Sequence, residues 1–170
     1  MSADIRSQNI LVAGVGNIFL GDDAFGVEVV QRLARRPLPP NVQVADFGIR
    51  GYDLAYALME PWELVILVDA LSRGEPPGTV YTIEAAMPQD SAASALLDAH
   101  TLDPAAVLQF VGKLGGHLDR ILVVGCEPAS IEMDHNGRLG LSLPVEIALD
   151  EAIRIIEALI AGERGSNLAA

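Results

Sequence analysis

Apolar residues recur along this chain in two rhythms: short unbroken runs, and stretches in which they return every three or four positions. The run "NILVAGVG" (9–16) predicts a strand that ends in glycines. "DDAFGVEVVQRLARR" predicts a helix, with Phe25, Val29 and Leu33 on one face. Asp22 or Asp23 can cap that helix, and "RPLPPN" ends it. "VQVADFG" (42–48) predicts a second strand, followed by a short helix at "YDLAYALM". "ELVILVDA" (63–70) is the clearest buried strand, and "SRGEPPG" is the turn after it. "TVYTIE" (79–84) alternates as a half-exposed strand does. Residues 85–103 carry no clear rhythm beyond a short helical stretch near "SAASALL". "DPAAVLQFVGKLG" starts a helix strongly, with Asp103 as its cap and Pro104 at its first position. "RILVVGC" (120–126) is another buried strand. "LPVEIALDEAIRIIEALIAG" is a long closing helix ending near Gly162, and residues 162–170 are expected to fray.

Buried strands alternating with helices imply an α/β fold: a three-layer α/β/α sandwich around a five-stranded, mostly parallel, twisted sheet. With 170 residues and no repeat or linker, residues 1–170 are expected to form a single domain. In such a sheet, ligands gather beyond the carboxyl ends of the strands.

Composition narrows the partners. The formal net charge of −12 argues against nucleic acid, because a polyanion needs a basic surface. No apolar run reaches the roughly 18 residues of a membrane span, and "MSADIRSQN" lacks the apolar core of a signal peptide. The lone cysteine, Cys126, excludes an internal disulfide and fits a reducing cytoplasm. At the end of a buried strand it reads as a small core residue.

The chemistry concentrates in "GVGNIFLGDDAFG" (14–26). Gly14-x-Gly16 satisfies half of a dinucleotide fingerprint, and Asp46 stands where a ribose-binding acid would. The third position is Phe19, however, and two carboxylates at a helix start would repel a pyrophosphate. The other reading is a metal or acid–base site. Acids stand at three strand-end regions: Asp22 with Asp23, Asp46, and Asp69, on which a buried run stops. Of the histidines, His117 and His135 sit in turn-like contexts, whereas His100 precedes a helix. One imidazole and two carboxylates, with positions left open, suit a transition metal. Ser91, Ser94, Ser130 and Ser142 lie in no nucleophile elbow, and there is no H-E-x-x-H.

Taken together, the motifs resemble those of the [NiFe]-hydrogenase maturation endopeptidases. "ILVAGVGNIFLGDDAFG" is similar to the opening of that family, and "DFGIRGYDL" to its Asp-x-Gly-x-x-Gly segment. "VILVDAL" with "PPGTV", "AHTLDPAAVL", "VVGCEPASIE" and "GLSLPVEIAL" resemble its later segments, in order, from about residue 9 to about 160. Cys126 departs from the valine more usual there.

The resemblance implies an endopeptidase, grouped with aspartic-type peptidases, that removes the C-terminal peptide of a hydrogenase large-subunit precursor. The cut follows nickel insertion, and the substrate's nickel serves for recognition. By motif, Asp23, Asp69 and His100 contact that metal, and Asp23, Asp46 and Asp69 carry the catalysis. Gly14, Gly16, Asn17, Gly48 and Gly51 form the substrate loops. Asp22 is then expected to be the helix cap. No permanently bound cofactor is implied, although Zn or Cd can take the nickel's place. A monomer in the cytoplasm is the expected state. The alternative is a non-catalytic maturation chaperone that binds a metal or a dinucleotide.

Overall fold

In the computed structural model, which describes residues 9–88, 102–132 and 140–166, both rhythms become secondary structure. The strands are β1 (Ile10–Val15), β2 (Val42–Gly48), β3 (Leu64–Ala70), β4 (Val80–Ala85) and β5 (Ile121–Cys126). The helices are α1 (Phe25–Leu33), α2 (Gly51–Ala57), α3 (Pro104–Lys113) and α4 (Leu143–Ser166), and a 3-10 turn, Gly21–Ala24, leads into α1. The five strands form one sheet in the order β2-β1-β3-β5-β4. All neighbours are parallel except β4, which pairs antiparallel with β5 at the edge.

Successive side chains of a strand point to opposite faces, so an unbroken apolar run is the pattern of a strand covered on both sides. Ile10 and Val12 of β1 and Leu64, Ile66 and Val68 of β3 pack against α1 and α4. Leu11, Ala13 and Val15 of β1 and Val65 and Leu67 of β3 pack against α2 and α3. These two apolar layers hold the fold. The ion pairs Arg32–Glu146 (2.6 Å) and Arg36–Glu157 (3.1 Å), which link α1 to α4, are well exposed and each adds at most about 1 kcal/mol.

Helix α1 sits unusually close to the sheet. A Cβ on Gly26 would lie 2.0 Å from the carbonyl oxygen of Val68 and 2.3 Å from that of Val15. One on Gly14 would lie 2.4 Å from the carbonyl oxygen of Gly26. The first turn of α1 therefore rests directly on the ends of β1 and β3, where no side chain fits.

Two expectations need correction. Neither Asp22 nor Asp23 caps α1: both lie in the 3-10 turn, and neither that turn nor α1 has a side-chain cap. The closing helix also runs past Gly162 to Ser166. Ile153, Ile156 and Ile160 anchor its preceding turns in the core, which outweighs the roughly 1 kcal/mol that a helical glycine costs. Asp103 does cap α3, accepting from the Ala105 N–H at 2.9 Å. The helix expected near "SAASALL" lies outside the described residues. No helix among the described residues is long and apolar enough to cross a membrane.

Gly26→Ala is expected to cost at least about 2 kcal/mol by urea unfolding, because the new methyl group meets backbone atoms that cannot yield. Gly74→Ala, at φ +83° with nothing within 4 Å, should cost only about 1 kcal/mol, from backbone strain alone.

Candidate functional site

The sheet order creates one crevice. Helix α1, which leaves β1, covers one face, whereas α2, which leads into β3, covers the other. The chain therefore diverges between the carboxyl ends of β1 and β3, the switch point at which such sheets bind ligands. The segment after β1 and the last residues of β3 border this crevice.

After β1 the chain turns at Gly16, whose N–H donates to the carbonyl of Gly48 at 2.9 Å. Gly16 has φ +134°, and a Cβ there would lie 1.8 Å from the carbonyl oxygen of Asp23. Only glycine meets both demands. The Asn17 N–H then donates to Asp23 Oδ2 at 2.7 Å. Asn17 Oδ1 in turn accepts from the Phe19 N–H at 2.9 Å. The loop thus closes on the half-buried Asp23 and fixes its carboxylate.

Asp22 faces elsewhere. It is 1% exposed, and its carboxylate accepts four hydrogen bonds. Oδ2 takes the Ala129 N–H (2.8 Å), the Ser130 N–H (3.2 Å) and the Ser142 hydroxyl (2.8 Å), and Oδ1 takes the Ser142 N–H (2.7 Å). The Asp22 N–H donates to the Ser130 carbonyl. Asp22 is an anchor that ties the turn before α1 to the segments after β5 and before α4, which is why it does not serve as the expected cap.

Asp69 ends the buried part of β3 at 9% exposure. Its pKa is raised well above the ordinary value, chiefly because burial penalises the charged form and then because Asp23 lies within electrostatic reach. The Ala70 N–H works against this, and Asp103 at the start of α3 adds a further push upward. A buried carboxyl facing a second carboxylate can hold a shared proton, exchange it with a substrate, or receive a cation.

Asp46 lies at the same edge on the other side of β1, since Gly14 pairs with Asp46 on one side and Val68 on the other. Its carboxylate meets α1, where Gln31 Nε2 donates to Oδ2 at 3.2 Å. By strand alternation Asp69 instead follows Val65 and Leu67 toward the α2 and α3 layer. The structure brings Asp23 and Asp69 together and holds Asp46 apart. Gly48, at φ +54°, ends β2, and the buried Gly51 opens α2. Between them the Arg50 guanidinium donates to the carbonyls of Phe47 and Asp46.

His100 lies outside the described residues, as do His135, Ser91 and Ser94. Among the described residues, no group of three metal-ligating side chains is assembled. His117 is solvated beside Asp119. Cys126 is fully buried, and burial, followed by Asp22 and Glu127, pushes its thiol up to about 12. Glu127 is a buried acid that the sequence pattern did not single out. It accepts from the N–H groups of Arg73 (2.7 Å) and Gly74 (3.3 Å) and from the Tyr81 hydroxyl (2.6 Å). The Tyr81 hydroxyl, above all, lowers the pKa of Glu127. The only sequence signal was an acid directly after a buried strand.

Comparison with known proteins places these features in a family. The profile of the family described as hydrogenase maturation protease matches residues 27–159. A protein of Methanocaldococcus jannaschii, named for the same activity, is 36% identical over 89% of this chain and 96% of its own length. The hydrogenase 2 maturation protease of Escherichia coli K12 is 32% identical over 95% of this chain and 94% of its own. The solved structure of the hydrogenase maturating endopeptidase HybD from Escherichia coli superimposes with a TM-score of 0.73 at 29% identity, covering 91% of this chain and 93% of that one.

Two outcomes follow from the geometry. Asp22→Asn replaces an acceptor of four hydrogen bonds with a group that is half donor, and should cost about 2–3 kcal/mol in denaturant unfolding. Asp69→Asn should raise Tm at neutral pH. With its folded pKa above the ordinary 3.8, ionised Asp69 lowers stability increasingly as pH rises from 3.8 through the folded value. The difference between wild type and variant should therefore vanish below pH 3.8. A gain that persists unchanged in acid would contradict this origin.

Proposed function

The chain belongs to the hydrogenase maturation protease family, and we propose that it cuts the C-terminal peptide from the precursor of a [NiFe]-hydrogenase large subunit once nickel is in place. The observation that carries this reading is the pairing of buried Asp69 with Asp23 at the switch-point crevice. Burial and then the neighbouring Asp23 make Asp69 costly to ionise; a dication relieves that cost, and a nickel-loaded substrate brings one.

In this reading Asp23, Asp69 and His100 hold the substrate's nickel and so position the chain beyond it. The set contains no thiolate and leaves coordination positions for the substrate's own ligands. The isolated protein would then bind Ni, Zn or Cd only modestly, with the substrate completing the site. Asp46 works from the neighbouring strand. Gln31 occupies its Oδ2, which leaves Oδ1 to accept a proton from the attacking water. The carbonyl carbon gains the water oxygen, the C–N bond breaks, and the proton passes to the leaving amine. The Gly16–Asn17 loop and the Gly48–Gly51 segment flank this peptide. We place the protein in the cytoplasm as a monomer, where Cys126 stays reduced. The second reading, a chaperone that holds the precursor without cutting it, shares the same cation-receptive site.

Mass spectrometry of the nickel-loaded precursor before and after incubation separates the two. The endopeptidase reading expects a large subunit shortened at its C-terminus and a nickel-free precursor left intact. A stable complex of unchanged mass would establish the chaperone instead. Asp46→Asn should slow cutting by about 100-fold without weakening retention of nickel-loaded precursor, whereas Asp23→Asn should weaken both. One tightly held zinc per purified chain would point to an ordinary metallopeptidase.

A further inference from the structure

Five large apolar side chains stand exposed around the Asp22 anchor: Ile18 (48%), Phe19 (58%), Ile131 (49%), Leu143 (72%) and Ile147 (68%). The anchor explains their proximity. Gly21 lies against the carbonyls of Ser130 and Glu132, 3.0 and 3.5 Å from where its Cβ would be, so Phe19 and Ile131 flank one contact. Ser142 binds Asp22 through both its N–H and its hydroxyl, which sets Leu143 beside them, and Ile147 follows one turn along α4. These positions do nothing for the core. In this first part of α4 the residues that pack inward are Val145, Ala148 and Leu149.

Among the described residues acids predominate around the apolar face, with Arg154, one turn beyond Asp150 on α4, and the paired Arg32 as the cations near it. Glu132, Asp150 and Glu151 are exposed beside it, and Glu146 is already paired with Arg32. The Ile18 and Phe19 end of the face adjoins the crevice, because Asn17, the residue before them, donates its N–H to Asp23 Oδ2.

We propose that this face docks the precursor protein through a segment carrying apolar side chains flanked by Lys or Arg. The partner's identity rests on the endopeptidase reading. The acid rim selects a basic segment, and a substrate that reaches Asp23 passes over the face. A second copy of this chain is the poorer occupant, since pairing would bring together two acid rims on molecules of net charge −12 each.

The test is the double variant Leu143→Ser/Ile147→Ser, whose positions are exposed and whose circular dichroism should match wild type. With nickel-loaded precursor as probe, KM is expected to rise about tenfold while kcat stays within about twofold. Glu132→Gln/Glu151→Gln should slow association about tenfold at low salt, and the difference should close at about 0.5 M salt. An unchanged KM in the apolar double variant overturns the proposal. So does a wild-type dimer in sedimentation that this variant converts to monomer, which would assign the face to self-association. Interferometry of precursor binding keeps the two readings separate. If wild type binds the precursor without cutting it, the endopeptidase reading fails, while loss of that binding in the variant still supports the docking face.

Discussion

The Asp22 carboxylate accepts from donors 107, 108 and 120 residues away in the chain, and the geometry of the sheet's carboxyl edge depends on it. A buried carboxylate is costly to remove from water unless its lone pairs are filled. Here four donors fill them, three backbone N–H groups and one hydroxyl, at the ends of segments that would otherwise need water. The bonds satisfy both sides at once. The segment after β5 and the start of α4 gain a strong acceptor, and the turn before α1 gains a fixed position. Asp23 inherits that position as the next residue.

Beside this anchor the site carries a cost that packing elsewhere must offset. Asp69 is buried with Asp23 and Asp103 acting on it, which opposes folding at neutral pH. Gly16 adopts a backbone conformation that side chains avoid, and α1 lies against strand carbonyls too closely for any Cβ. None of this serves the core, whose two apolar layers are complete without it. Groups that cost stability at a cleft mark a site shaped for something that arrives from outside.

What the sequence made readable follows from how local each signal is. Strand β2 spans Val42–Gly48 as the pattern predicts, and α3 starts on Asp103 and Pro104, because alternation and capping are set by neighbours in the chain. The sheet's double coverage was readable from the unbroken runs. The role of Asp22 was not: an acid before a helix looks like a cap, and its true partners lie more than 100 residues onward. The separation of Asp46 from Asp69 was equally hidden. Both acids end strands, but which face each one takes depends on the parity of its position, set by pairing across β1. Glu127 gave only an acid after a strand, and its meaning comes from the Arg73, Gly74 and Tyr81 groups that fold back onto it.

The two adjacent aspartates can now be understood as a pair. A 3-10 turn has about three residues per turn, so successive side chains leave its axis about 120° apart. Asp22 and Asp23 therefore cannot face the same environment. One turns inward, to the segments after β5 and before α4, and the other turns toward β3. The turn must be short and tight for this to hold, and Gly16 and Gly21 supply the backbone freedom on its approach. An identical residue at each position performs opposite work because local geometry assigns them different neighbours. Exchanging the roles would require the turn to rotate by a third of a revolution, which would break every bond at the anchor. The doubled acid is thus a structural and a chemical carboxylate placed side by side, with the first holding the second at the mouth of the crevice.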